Sequence, residues 1–202
     1  AFPHVNFLRE VTVGHLCLDY DPNAKSWAKV NPPIRSREDV EYLWEKLLEG
    51  KLDWVCSDHA CCKAESKTHK SGQGNDTPIF MSKSGFGGTE FMLPALLTEG
   101  KKRGLSLNRV AELTSHAAAR RFGLAGKGDI AAGFDADIVL VDPNKSFVAS
   151  GELSESSQGY SVFEGMEMSA SVVSTYLRGN LIYNDGHVVG GPQGKYLKRP
   201  YG

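Results

Sequence analysis

The chain has 202 residues, enough for one good-sized domain or two small ones. Its content of 41% hydrophobic and 23% charged residues is ordinary for a globular protein. A formal net charge of −1 gives no electrostatic argument for nucleic acid or an anionic membrane as partner. No apolar run reaches the ~18–20 residues that a membrane span needs.

The opening residues, Ala1-Phe2-Pro3-His4, place no basic segment ahead of an apolar core, so no signal peptide is expected. A start on Ala rather than Met is expected of a processed, cut or partial chain. Residues 10–18, Glu-Val-Thr-Val-Gly-His-Leu-Cys-Leu, carry alternating β-branched residues and predict a strand. His15 within it is expected to be packed rather than a ligand. Residues 19–35 predict a loop with a turn at Asp21-Pro22-Asn23. The loop ends in Asn31-Pro32-Pro33-Ile34-Arg35, where two prolines stiffen the backbone and push Asn31 toward an extended conformation. Such a segment either presents Asn31 to a ligand or is a plain connector.

Ser36, with Asp39 three residues on, predicts a capped helix over 37–49. Val40, Leu43, Trp44, Leu47 and Leu48 make its apolar face, and Gly50 stops it. The next apolar run, Trp54-Val55-Cys56, predicts a short buried strand that ends in Ser57-Asp58-His59. Helix, tight turn and strand form half of a βαβ unit and predict a parallel sheet. At the carboxyl end of such a strand an aspartate serves as metal ligand or general base. The competing reading has Asp58 capping the element that follows.

Residues 63–84, with Lys63, Lys67, Lys70, Gly72 and Gly74, predict a long polar loop. Gly85-Phe86-Gly87-Gly88-Thr89-Glu90 allows close backbone approach or a tight turn before a helix, and matches no nucleotide-binding motif. Helices are predicted over 90–103, ended by Gly104, then over 107–114 capped by Ser106, and over 116–122 capped by Ser115. His116 is expected at an exposed helix start. From Gly128 the texture turns to β. Residues 137–141, 172–177, 181–183 and 187–189 predict strands, the last three joined by hairpin turns at Arg178-Gly179-Asn180 and Asn184-Asp185-Gly186. The Gly/Pro-rich, basic tail from Gly190 is expected to dock rather than form core.

The cysteines are Cys17, Cys56, Cys61 and Cys62, with no Cys-x-x-Cys pair. Reduced thiols in a cytoplasmic protein are the expectation. A zinc site of Asp58, His59, Cys61 and Cys62 is crowded and lacks the usual loop spacing.

In order along the chain, these segments resemble the cyclic amidohydrolases of the amidohydrolase superfamily, the group of dihydroorotase, allantoinase, hydantoinase and dihydropyrimidinase. The resemblance is carried by Asn31-Pro32-Pro33-Ile34-Arg35, Ser57-Asp58-His59-Ala60, and Gly85-x-x-Gly88-x-Glu90 with Met92-Leu93-Pro94. It continues in Leu113-Thr114-Ser115, Arg120-x-Phe122-Gly123-Leu124 and Lys127-Gly128-x-Ile130-x-x-Gly133-x-Asp135-Ala136-Asp137. Gly159-Tyr160-Ser161, Phe163-Glu164-Gly165-Met166 and Arg178-Gly179 complete it. Each motif is weak alone, and the ordered set is strong.

The resemblance implies an α/β chain: the C-terminal part of a (β/α)8 TIM-type metal-dependent hydrolase barrel, plus the C-terminal strands of a small β-sandwich. Residues 1–125 would be barrel, and 126–202 sandwich strands and tail. A full barrel takes ~250 residues, so only the C-terminal half fits here. The family's His-x-His, bridging carboxylated lysine and further metal histidines are expected upstream, since the histidines at 4, 15, 59, 69, 116 and 187 form no such pair. The implied cofactor is zinc, binuclear in the complete enzyme, or another divalent metal. Asp58 would bind metal and shuttle a proton. Asn31, His59 and the Gly87 backbone would contact a small cyclic amide or imide. Asn31 leans toward dihydroorotase, and Ser57-Asp58-His59-Ala60 toward dihydroorotase or allantoinase, while Cys61-Cys62 departs from the pattern. The alternatives are a truncated, inactive homologue that acts as scaffold or partner-binding protein, and a separate Cys/Asp/His zinc protein. Half a barrel leaves two open sheet edges and an uncovered apolar face, so a homo-oligomer, or a missing partner segment, is expected.

Overall fold

Two parallel strands, β1 (Glu10–Thr12) and β2 (Trp54–Cys56), lie side by side with Thr12 opposite Cys56. In this computed structural model the described residues are 5, 7–20, 25–67, 79–152 and 154–199. The expected turn at 21–23, and Lys70, Gly72 and Gly74 of the expected loop, lie outside them. The Trp54 indole N–H donates to Glu10 Oε2 at 2.6 Å, and the Arg9 amide to Asp53 Oδ2 at 2.6 Å, which fixes the register at the strands' start.

The strand expected over 10–18 is only its first three residues. Val13–Cys17 form a helical turn, α1, because the Thr12 hydroxyl accepts the His15 amide and so caps a helix start. Local side-chain capping overrides the β-branched pattern there. The helix expected over 37–49 is α2 (Arg37–Leu48), with both halves of the Ser36/Asp39 capping box formed and Gly50 at φ +72°. Val40, Trp44 and Leu47 are buried, whereas Leu48 lies at the helix end and is 47% exposed.

The polar stretch after β2 holds a short helix, α3 (Ala64–Lys67), and a 3₁₀ turn at Ile79–Met81. Helix α4 is Thr89–Lys102. The two helices expected over 107–122 are one continuous rod: α5 (Leu107–Ala111), a π turn at Glu112–His116, and α6 (Ala117–Arg121). Ser115 therefore caps nothing. His116 is half-buried inside the rod, with Nδ1 3.2 Å from the Gly128 carbonyl. Gly128 has φ +84°, and a Cβ there would sit 2.6 Å from that of Ala119, so the chain turns off the rod at a point only glycine fits.

After it, β3 (Ile138–Asp142), β6 (Ser171–Leu177), β7 (Asn180–Asn184) and β8 (His187–Val188) form an antiparallel sheet in the order β3-β6-β7-β8. Between β3 and β6, β4 (Phe147–Val148) pairs with β5 (Glu167–Met168). The tail docks through the Arg178 guanidinium on the Gln193 carbonyl and Arg199 over the Phe122 ring at 5.3 Å.

One core joins both parts. Val13, Leu16, Trp44, Leu47, Leu96 and Leu113 pack in the same cluster as Ala149, Phe163, Met168 and Ala170. Burying each large member stabilises by roughly 1.5–3 kcal/mol. The Trp44 indole N–H reaches the Leu16 carbonyl at 2.7 Å, so its burial leaves no unpaired donor. The Thr98 hydroxyl donates to Pro94 O at 2.7 Å and accepts the Ser169 amide at 2.8 Å, and so bolts the β part onto α4.

Candidate active site

Strand β2 ends at Cys56, and its carboxyl end is level with that of β1. Asp58 follows within two residues, exposed and at φ +46°. Aspartate is among the few residues with a side chain that tolerate this left-handed region. The chain reverses there and throws His59 and Ala60 back toward the turn at 85–88, where the Ala60 amide donates to the Phe86 carbonyl at 3.1 Å. Asp58 does not act as an N-cap of the next helix, which starts only at Ala64.

Gly87 and Gly88 bring the backbone close to His59. A Cβ on Gly87 would sit 3.0 Å from His59 Cε1 and 2.8 Å from Gln158 Oε1. The Gly88 and Thr89 amides, at the start of α4, both donate to His59 Nδ1 at 3.3 Å. These are amides that a helix start leaves without an intrahelical acceptor. Because Nδ1 accepts, the neutral ring carries its proton on Nε2. The Gly87 N–H donates to Gln158 Oε1 at 2.7 Å.

A third wall comes from residues 154–160. The Ser154 hydroxyl donates to Glu90, Ser156 Oγ lies 3.6 Å from Cys61 Sγ, and the Gln158 carbonyl accepts the Ala64 amide at 2.9 Å. Tyr160 packs on Trp27 with ring centroids 4.6 Å apart, and its hydroxyl lies 3.8 Å from Cys62 Sγ. Burial holds the Tyr160 phenol far above its ordinary range, so it stays protonated. Beneath this wall Lys67 is fully buried, with Nζ on the Lys29 carbonyl at 3.0 Å. Burial lowers its pKa to about 8, Cys62 opposing that shift and Lys29 adding to it.

Asn31 is exposed beside a cis Asn31–Pro32 peptide. It is linked to the strand ends through His15, whose Nε2–H donates to the Pro32 carbonyl at 2.9 Å while Nδ1 accepts from the Thr12 hydroxyl at 2.6 Å. His15 is thus packed, as expected, and holds the Asn31 loop to the end of β1. His59 and Gly87 are in contact and Asp58 adjoins them, whereas Asn31 joins the group only through this relay. Sequence reasoning missed Gln158 and the role of His15. Gln158 lies directly before the Gly159-Tyr160-Ser161 motif, so that motif marked the segment and left the residue unmarked.

Asp58 supplies an exposed carboxylate suited to a zinc-class or harder divalent cation. Among the described residues no three His, Cys, Asp or Glu side chains gather around a common point. The Asp58/His59/Cys61/Cys62 zinc site therefore does not form: His59 Nδ1 faces helix amides, and Cys61 and Cys62 face Ser156 and the Gly85 carbonyl. Cys56 and Cys17 are kept as thiols, each raised to about 12 chiefly by burial. Among the described residues Asp58 is the one site carboxylate placed to hold a metal, and a complete shell would need further donors. No described helix is long and apolar enough to cross a membrane.

Residues 10–182 match the model of the amidohydrolase family. An allantoinase of Rubrobacter xylanophilus is 43% identical over 172 residues, covering 85% of this chain and 36% of its own length. An allantoinase of Salmonella newport is 37% identical over 161 residues, covering 79% and 34%. Among solved structures, a D-hydantoinase (dihydropyrimidinase) from Thermus sp. superposes with TM-score 0.82 at 29% identity, over 91% of this chain and 41% of the other. The L-hydantoinase (dihydropyrimidinase) of Arthrobacter aurescens gives 0.81 at 31% identity, over 90% and 40%. The chain thus spans about a third of the length of these allantoinases and about two fifths of these hydantoinase chains.

Proposed function

The chain belongs to the amidohydrolase family, and on that premise we propose that it is the C-terminal part of a metal-dependent hydrolase that opens a small cyclic amide. Residues 1–125 are its share of the (β/α)8 barrel, and 126–202 its β-sandwich strands and tail. The ring is of the hydantoin type, allantoin being itself a substituted hydantoin, with dihydroorotate as the related six-membered alternative. The observation that carries this reading is Asp58 at the carboxyl end of a parallel strand, beside a histidine held by helix amides, within a match that runs from residue 10 to residue 182.

A divalent metal, zinc or a relative of it, supplies Lewis acidity and a water acidic enough to ionise near neutral pH. Asp58 would be the ligand that the described residues offer it, and the other ligands would come from outside the described residues. Asp58 accepts the proton of the attacking water at a carboxylate oxygen and returns it to the ring nitrogen as the C–N bond breaks. His59, with its proton on Nε2, donates to a ring carbonyl. Asn31 contacts the ring from the loop that His15 secures. The Gly87 N–H is committed to Gln158, so Gly87 serves the site by letting His59 and Gln158 close on its backbone where a Cβ would clash.

The test is ring opening of hydantoin, allantoin and dihydroorotate by the full-length protein, with metal content and intact mass measured on the same sample. Turnover of one ring with about one or two metals per chain supports the reading. No metal and no turnover at full length leaves an inactive scaffold, and zinc lost on Cys61→Ser/Cys62→Ser would restore the cysteine site.

A further inference from the structure

We infer that Gln158 is a positioning residue of this site: its buried side-chain amide fixes the Gly87 peptide so that the next two amides aim at His59 Nδ1. The inference rests on the reading of His59 as a site residue given above.

Gln158 is 3% exposed, and each polar group of its side chain has a backbone partner. Oε1 accepts the Gly87 N–H at 2.7 Å, and Nε2 donates to the Tyr160 carbonyl at 2.6 Å. The pairing works one way round only, because Gly87 offers a donor and Tyr160 an acceptor. The backbone carbonyl of Gln158 also holds the Ala64 amide at 2.9 Å, so the residue grips the segment that leaves Asp58 and His59 as well as the glycine turn. Three successive amides are thereby assigned: Gly87 to Gln158, and Gly88 and Thr89 to His59. A Cβ at Gly87 would meet Gln158 Oε1 at 2.8 Å and His59 Cε1 at 3.0 Å, so both side chains close on the same face of that residue.

The consequence is a tautomer. While the amides of Gly88 and Thr89 point at Nδ1, the imidazole carries its proton on Nε2. Without the Gln158 acceptor the peptide that carries the Gly87 N–H is held at one end only, by the Ala60 amide on the Phe86 carbonyl, so it can tilt, the two following amides lose their aim, and the Nδ1–H form becomes competitive. An apolar residue of similar size would fill the space and leave a buried amide unpaired.

The experiment uses the full-length protein with ring-labelled histidine. Long-range nitrogen–proton NMR reads the tautomer of His59, and steady-state kinetics is run on whichever ring is turned over. The variants are Gln158→Leu, Gly87→Ala and the double substitution. In the parent, His59 should carry its proton on Nε2. In Gln158→Leu its two nitrogen shifts should move toward each other, and kcat should fall about tenfold with a smaller change in KM, the loss expected of a misaligned donor. Gly87→Ala presses on the same contact, so the double variant should lose no more than the worse single. A purely structural role would lower stability and leave the tautomer as it was. An unchanged His59 signature in Gln158→Leu, or additive losses in the double variant, overturns the inference. If Gln158→Leu does not fold, Gly87→Ala decides by the same signature. If the parent opens no ring, the hydrolase reading falls and the NMR result still decides the role of Gln158.

Discussion

Asp58 is both the proposed proton carrier and a residue in left-handed backbone, and these two facts predict opposite effects of substitution. Asn keeps the shape and the tolerance for φ +46° but accepts no proton. Asp58→Asn should therefore unfold at the parent temperature and lose about 10²–10⁴-fold in kcat. Asp58→Gly removes the backbone penalty and should unfold at an equal or higher temperature while being equally inactive. A clear drop in melting temperature in both variants would mean that Asp58 serves the fold.

Lys67 gives the second prediction at this scale. Its folded pKa, about 8, lies below the ordinary 10.5 because burial disfavours the charge and no carboxylate offsets it. Between about pH 8 and 10.5 the unfolded chain binds the proton that the folded chain has released, so this group makes stability rise with pH across that window. Below it the buried charge is a cost. Lys67→Met should raise stability near pH 7 by about 1–3 kcal/mol, since the Lys29 carbonyl keeps the Gly85 amide at 2.9 Å. The gain should shrink as pH rises toward 10. Thermal melts of both proteins at pH 7 and pH 9.5 check it, and an equal gap at the two values would mean that the burial cost is not electrostatic.

At the scale of elements, the ends of α2 and the Thr98 bolt are where single hydrogen bonds decide geometry. Ser36→Ala removes one half of the capping box and should cost about 1 kcal/mol, read as a lower denaturant midpoint at unchanged slope. Elements whose signals are local were legible in the sequence. Ser36, Asp39 and Gly50 bounded α2, and Arg178-Gly179-Asn180 and Asn184-Asp185-Gly186 announced hairpins that formed, with Arg178 and Asp185 in left-handed backbone. Elements whose signals conflict were not. Thr12 reads as a strand residue by its branching and acts as a helix cap through its hydroxyl, and its branching alone does not announce that role. Ser115 looks like a cap, but the rod runs through it because Leu113 is wholly buried and Thr114 returns its hydroxyl to Val110 O at 2.8 Å. Of the proposed site, the placement of Asp58 and His59 just past a strand end was legible because the apolar run stops before them. The grip of Gln158 on Gly87 spans 71 positions and leaves no spacing to read.

At the scale of the whole molecule, the same long-range logic predicts how this stretch of chain behaves by itself. Among the described residues β1 pairs with β2 alone, so each has one edge without a partner strand. The larger sheet ends at β3 on one side and β8 on the other. Val139, Leu140, Leu181 and Val188 on that sheet are between 37% and 66% exposed. Unpaired edges beside exposed β-branched and aliphatic side chains are the surfaces through which chains add to one another. The relatives are more than twice as long as this stretch, so a longer chain has residues to lay over them. The 202 residues expressed alone should therefore run above monomer size on gel filtration, with the excess growing with protein concentration. Charges placed on the sheet should reverse it: Leu140→Lys with Val188→Lys replaces no buried side chain and should return the protein toward monomer. A monomer at every concentration would mean that strand edges and apolar sheet face are already shielded within the chain. Association untouched by the two lysines would place the contact on the β1–β2 edges.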